Sequence, residues 1–252
     1  MMISPEGFIE EYKDNSYEEL LSVRDDLISS MKDFEAPDKK GDQPLICPSP
    51  DVVYKCNLLY LSKLCKLIYQ KYEEITWDDP YINIEISDIA DMYTDCVVNA
   101  ANEGLKMGAG VCGAIFEKAG VNELKAACDE IGGCPTGSAV ITPGFGLKAK
   151  YIIHAVGPVW SGSERDQNLL RSCYKESLDR AKENDCHSIA FPLISSGVFG
   201  CPLEEAWEQA VKGCYEWIDE NPDYDMKILF AVRKESVKEA GNIALYKYSN
   251  GE

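Results

Sequence analysis

The run Val97-Val98-Asn99-Ala100-Ala101-Asn102-Glu103-Gly104-Leu105-Lys106-Met107-Gly108-Ala109-Gly110-Val111-Cys112-Gly113 decides how the rest of the chain is read. It opens as a short apolar strand over Cys96–Val98, turns through small and amide residues, and ends in glycines where a helix begins. Glycine lets a backbone approach a ligand closely, and a helix starting near Val111 presents N–H groups with no partner inside the helix. That arrangement suits phosphate or pyrophosphate. A second run, Phe191-Pro192-Leu193-Ile194-Ser195-Ser196-Gly197-Val198-Phe199-Gly200, is another small-residue loop ahead of a helix. Two such loops predict an extended anion, such as a diphosphate, held without a metal or a lysine.

Outward from these loops, strand and helix signals alternate. Strands are expected at 81–86, at 138–142, at 150–156, from Ser188 to Ile194, and in MKILFAV at 226–232. Helical stripes run from Val111 to Ala119, from Leu169 to Ala181, from Leu203 to Ile218, and through Val237, Ala240, Ala244 and Leu245. This alternation predicts an α/β sheet covered by helices on both faces. Ligands of such sheets collect beyond the carboxyl ends of the strands, where both glycine loops fall.

A helical extension is expected over residues 1–79, ahead of a main domain at 80–252. Ser16 followed by Glu19 is a capping-box start for a helix through Leu20, Leu21, Leu27, Ile28 and Met31. A polar, proline-bearing stretch from Glu35 to Pro50 breaks it. Ser49 as cap and Pro50 in the first turn begin a second helix, with Val53, Cys56, Tyr60, Leu64, Leu67 and Ile68 on one stripe. Two helices bury little surface alone, so their apolar stripes either pack on the main domain or dock a protein partner.

Composition narrows the function. With 252 residues and a formal net charge of −18, the chain is expected to repel nucleic acid and anionic membrane. No apolar run approaches the ~20 residues that span a bilayer, and the N-terminus lacks a signal peptide's basic start and apolar centre. The eleven cysteines are odd in number and include no CxxC pair, so they read as reduced and mostly buried. A cytoplasmic location follows from these features. Cys128, Cys134 and His154 are the best trio for zinc, but their spacing is poor for it, and His154 lies within an apolar strand as a packed, hydrogen-bonded residue.

Gly108, Gly110 and Gly113 also spell GxGxxG, the dinucleotide fingerprint of a nucleotide-dependent oxidoreductase. In that motif the glycines follow the strand directly and an acid ends the second strand. Here residues 101–107 intervene, and Asp129 and Glu130 lie in a helical stretch. No GxxxxGK[ST] is present either.

Three stretches in order, VVNAANEGLKMGAGVCGAIF, GGCPTGSAVITPGFGLKAKYIIHAVGP and FPLISSGVFGCP, resemble a macrodomain of the MacroD type, over roughly residues 80–248. The resemblance implies a three-layer α/β/α sandwich with a mixed, mostly parallel central sheet, and ADP-ribose or ADP-ribosylated protein as partner. It implies that Asp88 accepts a hydrogen bond from the adenine amine, where otherwise it would be a turn or N-cap Asp, and that Ile89 touches the base. It places Asn102 at the distal ribose, with Asn99 bracing the loop. Gly108, Ala109, Gly110 and Val111, and Ser195, Ser196, Gly197, Val198 and Phe199, would form the two diphosphate loops, with Phe199 against the distal ribose. It implies no zinc and no cofactor, because the loop after Asn102 is short and lacks His.

Three departures from the family pattern bear on activity. Hydrolytic relatives have Asp at the place of Cys112 and His at the place of Phe116, and many carry an aromatic against adenine where this chain has Val232-Arg233. A thiol is a poor general base, although near a helix N-terminus it can serve as a nucleophile. Family members without the loop Asp rely on the asparagine, the glycine loop and water held by ligand phosphate. The resemblance therefore implies removal of ADP-ribose from a modified target, or deacetylation of O-acetyl-ADP-ribose, with Asn102 and Cys112 as the candidate catalytic residues. The alternative is a module that reads ADP-ribose without cleaving it.

Overall fold

The computed structural model describes residues 4–35, 50–74 and 79–251, which form two compact units on either side of 75–78. The expected polar break over 36–49, the Ser49 cap and Trp77 lie outside the described residues.

The N-terminal unit holds three helices, α1 (Pro5–Tyr12), α2 (Tyr17–Glu35) and α3 (Pro50–Glu74). The expected capping box forms at α2: Ser16 N–H donates to Glu19 Oε2 at 2.8 Å, and Glu19 N–H to Ser16 Oγ at 3.2 Å. Helix α1 was not expected, yet its start signal is in the sequence, with Ser4 Oγ accepting from Gly7 N–H at 3.0 Å and Pro5 in the first turn. Its Phe8, Ile9 and Tyr12 pack around Leu20, Leu64 and Ile68, and the Phe8 ring stacks on Tyr60 at 4.6 Å. Full burial, as of Leu20 and Leu64, stabilises by about 1.5–3 kcal/mol per side chain, and the partly buried residues of α1 contribute less. The expected stripes of α2 and α3 thus find a third helix of their own unit.

The second unit is a six-stranded sheet with strand order β1-β6-β5-β2-β4-β3. Its strands are β1 (Ile82–Ile86), β2 (Cys96–Ala100), β3 (Ala139–Pro143), β4 (Tyr151–Ala155), β5 (Ser188–Phe191) and β6 (Lys227–Val232). All neighbours run parallel except β3 and β4, a mixed, mostly parallel sheet. Helices α4 (Val111–Ala119) and α5 (Val121–Ile131) serve one face; α6 (Glu164–Glu183), α7 (Leu203–Glu220) and α8 (Glu235–Asn250) serve the other.

Alternation along the strands builds the two cores. Cys96 and Val98, Ile153 and Ala155, Ile189 and Phe191, and Ile228 and Phe230 point to the α6–α8 side. Val97, Ile152, Ala190 and Ala231, each next to one of these in its strand, point to the α4–α5 side. Strand β5 stops at Phe191, short of the expected Ile194, because Pro192 has no N–H to donate to a neighbour. The chain leaves the sheet there, three residues ahead of the second glycine loop. Among the described residues, no helix is long and apolar enough to cross a membrane.

Candidate functional site

Beyond the carboxyl ends of β2, β5 and β6 lies a cavity of about 590 Å³. It gathers the expected Asn102, Gly108, Ala109, Gly110, Val111 and Cys112 from the first loop, Ser195, Ser196, Gly197, Val198 and Phe199 from the second, and Val232 from β6. These residues are far apart in sequence. Parallel pairing of β2 with β5 and of β5 with β6 brings their loops to one edge.

The first loop is held by its own side chains. Asn102 Nδ2 donates to Lys106 O at 2.7 Å and its Oδ1 accepts from Lys106 N–H at 3.0 Å, which closes a turn over 102–106. Leu105 inside that turn adopts φ 52° and is buried, so its side chain plugs the loop into the core. Next, Gly108 N–H donates to Cys112 Sγ at 3.3 Å. Gly110 takes φ 65°, which a side chain would strain, and ends the loop against α4. A Cβ at Gly113 would meet Gly108 O at 2.9 Å, so α4 can lie this close to the loop only without one. The N–H groups of Ala109 and Gly110 donate to no protein atom among the described residues.

Beneath Cys112 runs a buried polar chain. Asn99, on β2, places Nδ2 3.7 Å from Cys112 Sγ and 3.1 Å from His154 Nδ1. Asn99 Nδ2 can only donate, so Nδ1 accepts, and the imidazole carries its proton on Nε2, 3.0 Å from Thr142 Oγ1. Burial pushes the His154 pKa down to about 4, so the ring is neutral at ordinary pH. Asn99 Oδ1 is buried with no partner. The packed, hydrogen-bonded role expected for His154 is what the structure shows. Asn99 was expected to brace the loop; the direct brace is Asn102, and Asn99 acts one layer down through Cys112. Among the described residues, no group of three His, Cys, Asp or Glu is placed to hold a metal: Cys128 Sγ lies 3.9 Å from His154 Nε2, but Cys134 Sγ turns to Pro135 O.

The second loop is held from outside. Ser195, at φ 61°, donates its Oγ hydrogen to Pro158 O at 2.9 Å, and Trp160 N–H reaches Phe199 O at 2.8 Å. Ser196 Oγ donates to Leu193 O, while Cys201 N–H and Gly200 N–H close the loop on Ser195 O and Gly197 O. The N–H groups from Ser196 to Phe199 donate to no protein atom among the described residues. Val198 stands 96% exposed at the lip, and Phe199 is half-buried beside it.

Asp88 and Ile89 do not line the cavity. Asp88 Oδ1 caps the short 3₁₀ turn at Ile89–Asp91 by accepting from Ala90 N–H at 3.1 Å, the turn role weighed from sequence. Its Oδ2 accepts from Arg233 Nη2 at 2.8 Å, and Arg233 does line the cavity. Ile89 is 3% exposed, packed into the α4–α5 core. Phe116 sits in the same core at 1% exposure, away from the cavity lining.

The sequence reading assigned no site role to Gly157 or Lys234, both of which line the cavity. A Cβ at Gly157 would lie 2.3 Å from Ser195 Oγ and 2.6 Å from Ile194 Cγ2, so the second loop seats against a bare backbone. The available signal was a glycine immediately after the apolar strand HAV, just ahead of Pro158.

Comparison with known proteins identifies the class. The Macro domain family model matches residues 98–210. An uncharacterized protein of Fusobacterium nucleatum is 47% identical over 143 residues, which is 56% of this chain and 81% of that protein. A macro domain-containing protein of Methanosarcina mazei is 46% identical over 158 residues, 62% of this chain and 84% of that protein. Among solved structures, the Oceanobacillus iheyensis macrodomain with ADP superposes with a TM-score of 0.64 and 33% identity, covering 70% of this chain and 96% of that one. The Trypanosoma brucei macrodomain in complex with ADP-ribose gives 0.62 and 32%, covering 68% and 73%. The chain belongs to the macro domain family.

Proposed function

We propose that the unit over 80–252 binds ADP-ribose in this cavity and removes it from modified protein, or deacetylates O-acetyl-ADP-ribose. One observation carries the reading: two loops whose backbone N–H groups have no protein partner among the described residues line a single cavity at the strand ends, and neither loop contributes a cation to its lining. Peptide N–H dipoles held this way recognise a diphosphate by geometry, without the desolvation cost of buried lysines. The bound ADP and ADP-ribose of the two structural relatives support the same ligand here.

In this reading Asn102 orients the distal ribose with the donor and acceptor capacity its turn leaves over, and water attacks near that ribose. No Asp, Glu or His lines the cavity, so catalysis rests on positioning water and substrate, with ligand phosphate as the nearest base. We assign Cys112 to pinning the loop, since its Sγ accepts from Gly108 N–H and Asn99. If Cys112→Ala loses turnover yet binds ADP-ribose normally, the thiol returns to a catalytic role. The missing carboxylate favours the second reading, a reader that binds without cleaving.

Calorimetry with ADP-ribose tests recognition: absence of heat at millimolar ligand would overturn it. Release of label from mono-ADP-ribosylated protein, with Asp/Glu-linked and Ser-linked substrates in parallel, separates hydrolase from reader. The ten described cysteines are all unpaired, which supports a reducing, cytoplasmic setting. Exposed Val52, Leu58 and Leu59 on α3 support a protein-docking role for residues 1–79.

A further inference from the structure

Of the residues lining the cavity, only Arg233 and Lys234 carry charge, and both are cations. This occurs in a chain with 43 acidic and 25 basic residues, so an anion approaching from solvent meets an otherwise repulsive surface. Neither cation is placed for the diphosphate of the proposed ligand. The two N–H loops follow β2 and β5, which are neighbours, whereas Arg233 and Lys234 follow β6, one strand further along. Strands lie ~4.8 Å apart, so the pair sits to the side, toward β1 and Asp88. In the ADP-ribose reading, that side holds the adenosine.

The charge there is only half used. Arg233 spends one Nη2 contact on Asp88 at 2.8 Å, leaving its remaining N–H groups free, and its side chain is 62% exposed. Lys234 is exposed and makes no ion pair or side-chain hydrogen bond among the described residues. The acids nearest in sequence and contact are Asp88, already taken by Arg233, and Glu235, which does not line the cavity. A neutral adenosine gives an ammonium at this place nothing to neutralise.

Resting on that reading, we propose that Arg233 and Lys234 form an anion subsite for a phosphate monoester on the adenosine ribose, so that the favoured ligand is ADP-ribose phosphorylated at the 2′ or 3′ hydroxyl. A phosphomonoester carries close to two negative charges near neutral pH. Arg233 offers it a planar fork and Lys234 a mobile point charge.

The test is calorimetric titration of the full chain with ADP-ribose and with 2′-phospho-ADP-ribose and its 3′ isomer, at low and at high NaCl. The expected result is that one phosphorylated form binds at least tenfold more tightly than ADP-ribose at low salt, with the advantage shrinking as salt rises. Lys234→Gln should remove most of that advantage, lowering the affinity of the favoured phosphorylated form by a larger factor than it lowers that of ADP-ribose. Equal or weaker binding of both phosphorylated forms, while ADP-ribose binds, overturns the subsite and leaves the parent reading standing. Binding of a phosphorylated form alone supports the subsite and overturns plain ADP-ribose as the ligand. No binding by any of the three overturns both.

Discussion

The first loop, 102–110, is pinned by its own side chains, whereas the second, 195–200, is pinned by the backbone of its neighbours. Asn102 clasps Lys106 at both ends of its amide, and Cys112 catches Gly108 from the helix that follows. The second loop depends on Pro158 and Trp160, which belong to the segment after β4, and on the bare Cα of Gly157. Both loops line one cavity. The difference is in what can break each: the first is sensitive to its own residues and to the buried chain beneath it, the second to residues some 40 positions away.

The largest effect is therefore expected at Gly157, outside both loops. Gly157→Ala places a methyl within 2.3 Å of Ser195 Oγ and 2.6 Å of Ile194 Cγ2. Overpacking of this kind costs about 3 kcal/mol, and the second loop must shift to relieve it. Denaturant unfolding should show the loss, and ADP-ribose affinity should fall at least tenfold. Wild-type stability with wild-type affinity would mean that the second loop is not seated on Gly157.

Acidification should strike the first loop's foundation and leave the second alone, since no titratable group lies between Ser195 and Gly200. The folded His154 takes a proton near pH 4, and an unfolded imidazole near 6.5. Between those values the unfolded chain binds more protons, so stability falls as pH falls. The contribution is about 2 kcal/mol between pH 6.5 and 5. The chain has only two histidines, and the contact of His187 with Asp225 O raises its pKa above 6.5, so NMR can follow each. One imidazole should titrate above 6.5 and the other stay neutral until about pH 4. If both titrate near 6.5, the buried chain under Cys112 is not closed.

What the sequence could and could not disclose follows the same division. The strand and helix alternation, the two glycine loops and the place of Asn102 are local signals, and the structure brings those loops to one cavity. Ile89 was expected at the ligand and lies in the core, because a 3₁₀ turn capped by Asp88 rotates it inward. The Asp88–Arg233 pair and the contact made at Gly157 have no local signature, as both join residues distant in sequence: the first links the ends of the neighbouring β1 and β6, and the second sets the segment after β4 against the loop after β5, two strands away in the sheet. Helix α1 was legible in Ser4-Pro5 but too short to stand out by periodicity; packing on α3 against Tyr60 and Leu64 makes it stable.

A smaller effect is expected at Asn102. Asn102→Ala removes two hydrogen bonds at the edge of the cavity, worth about 1 kcal/mol together with part of the turn's preference for an amide. If Asn102 orients the distal ribose, kcat should fall more than ADP-ribose affinity does. Equal losses in both would reduce it to a brace for the first loop, the role its bonds to Lys106 already show.

The smallest effect separates loop shape from glycine content. Gly197 lies in the second loop between two residues with unpartnered N–H groups, yet a Cβ there would meet nothing within 4 Å, and its φ is outside the positive range that strains a side chain. Gly197→Ala should thus change stability by less than about 0.5 kcal/mol. Gly110→Ala has equal open space but φ 65° with ψ −131°, a conformation outside the left-handed helical region that side chains rarely adopt, so it should cost about 2–3 kcal/mol and distort the first loop. ADP-ribose affinity of the two variants, measured side by side, then reports on the ligand. If Gly197→Ala weakens binding as much as Gly110→Ala does, the ligand itself comes within a methyl radius of residue 197, and the second loop grips the diphosphate more tightly than the first.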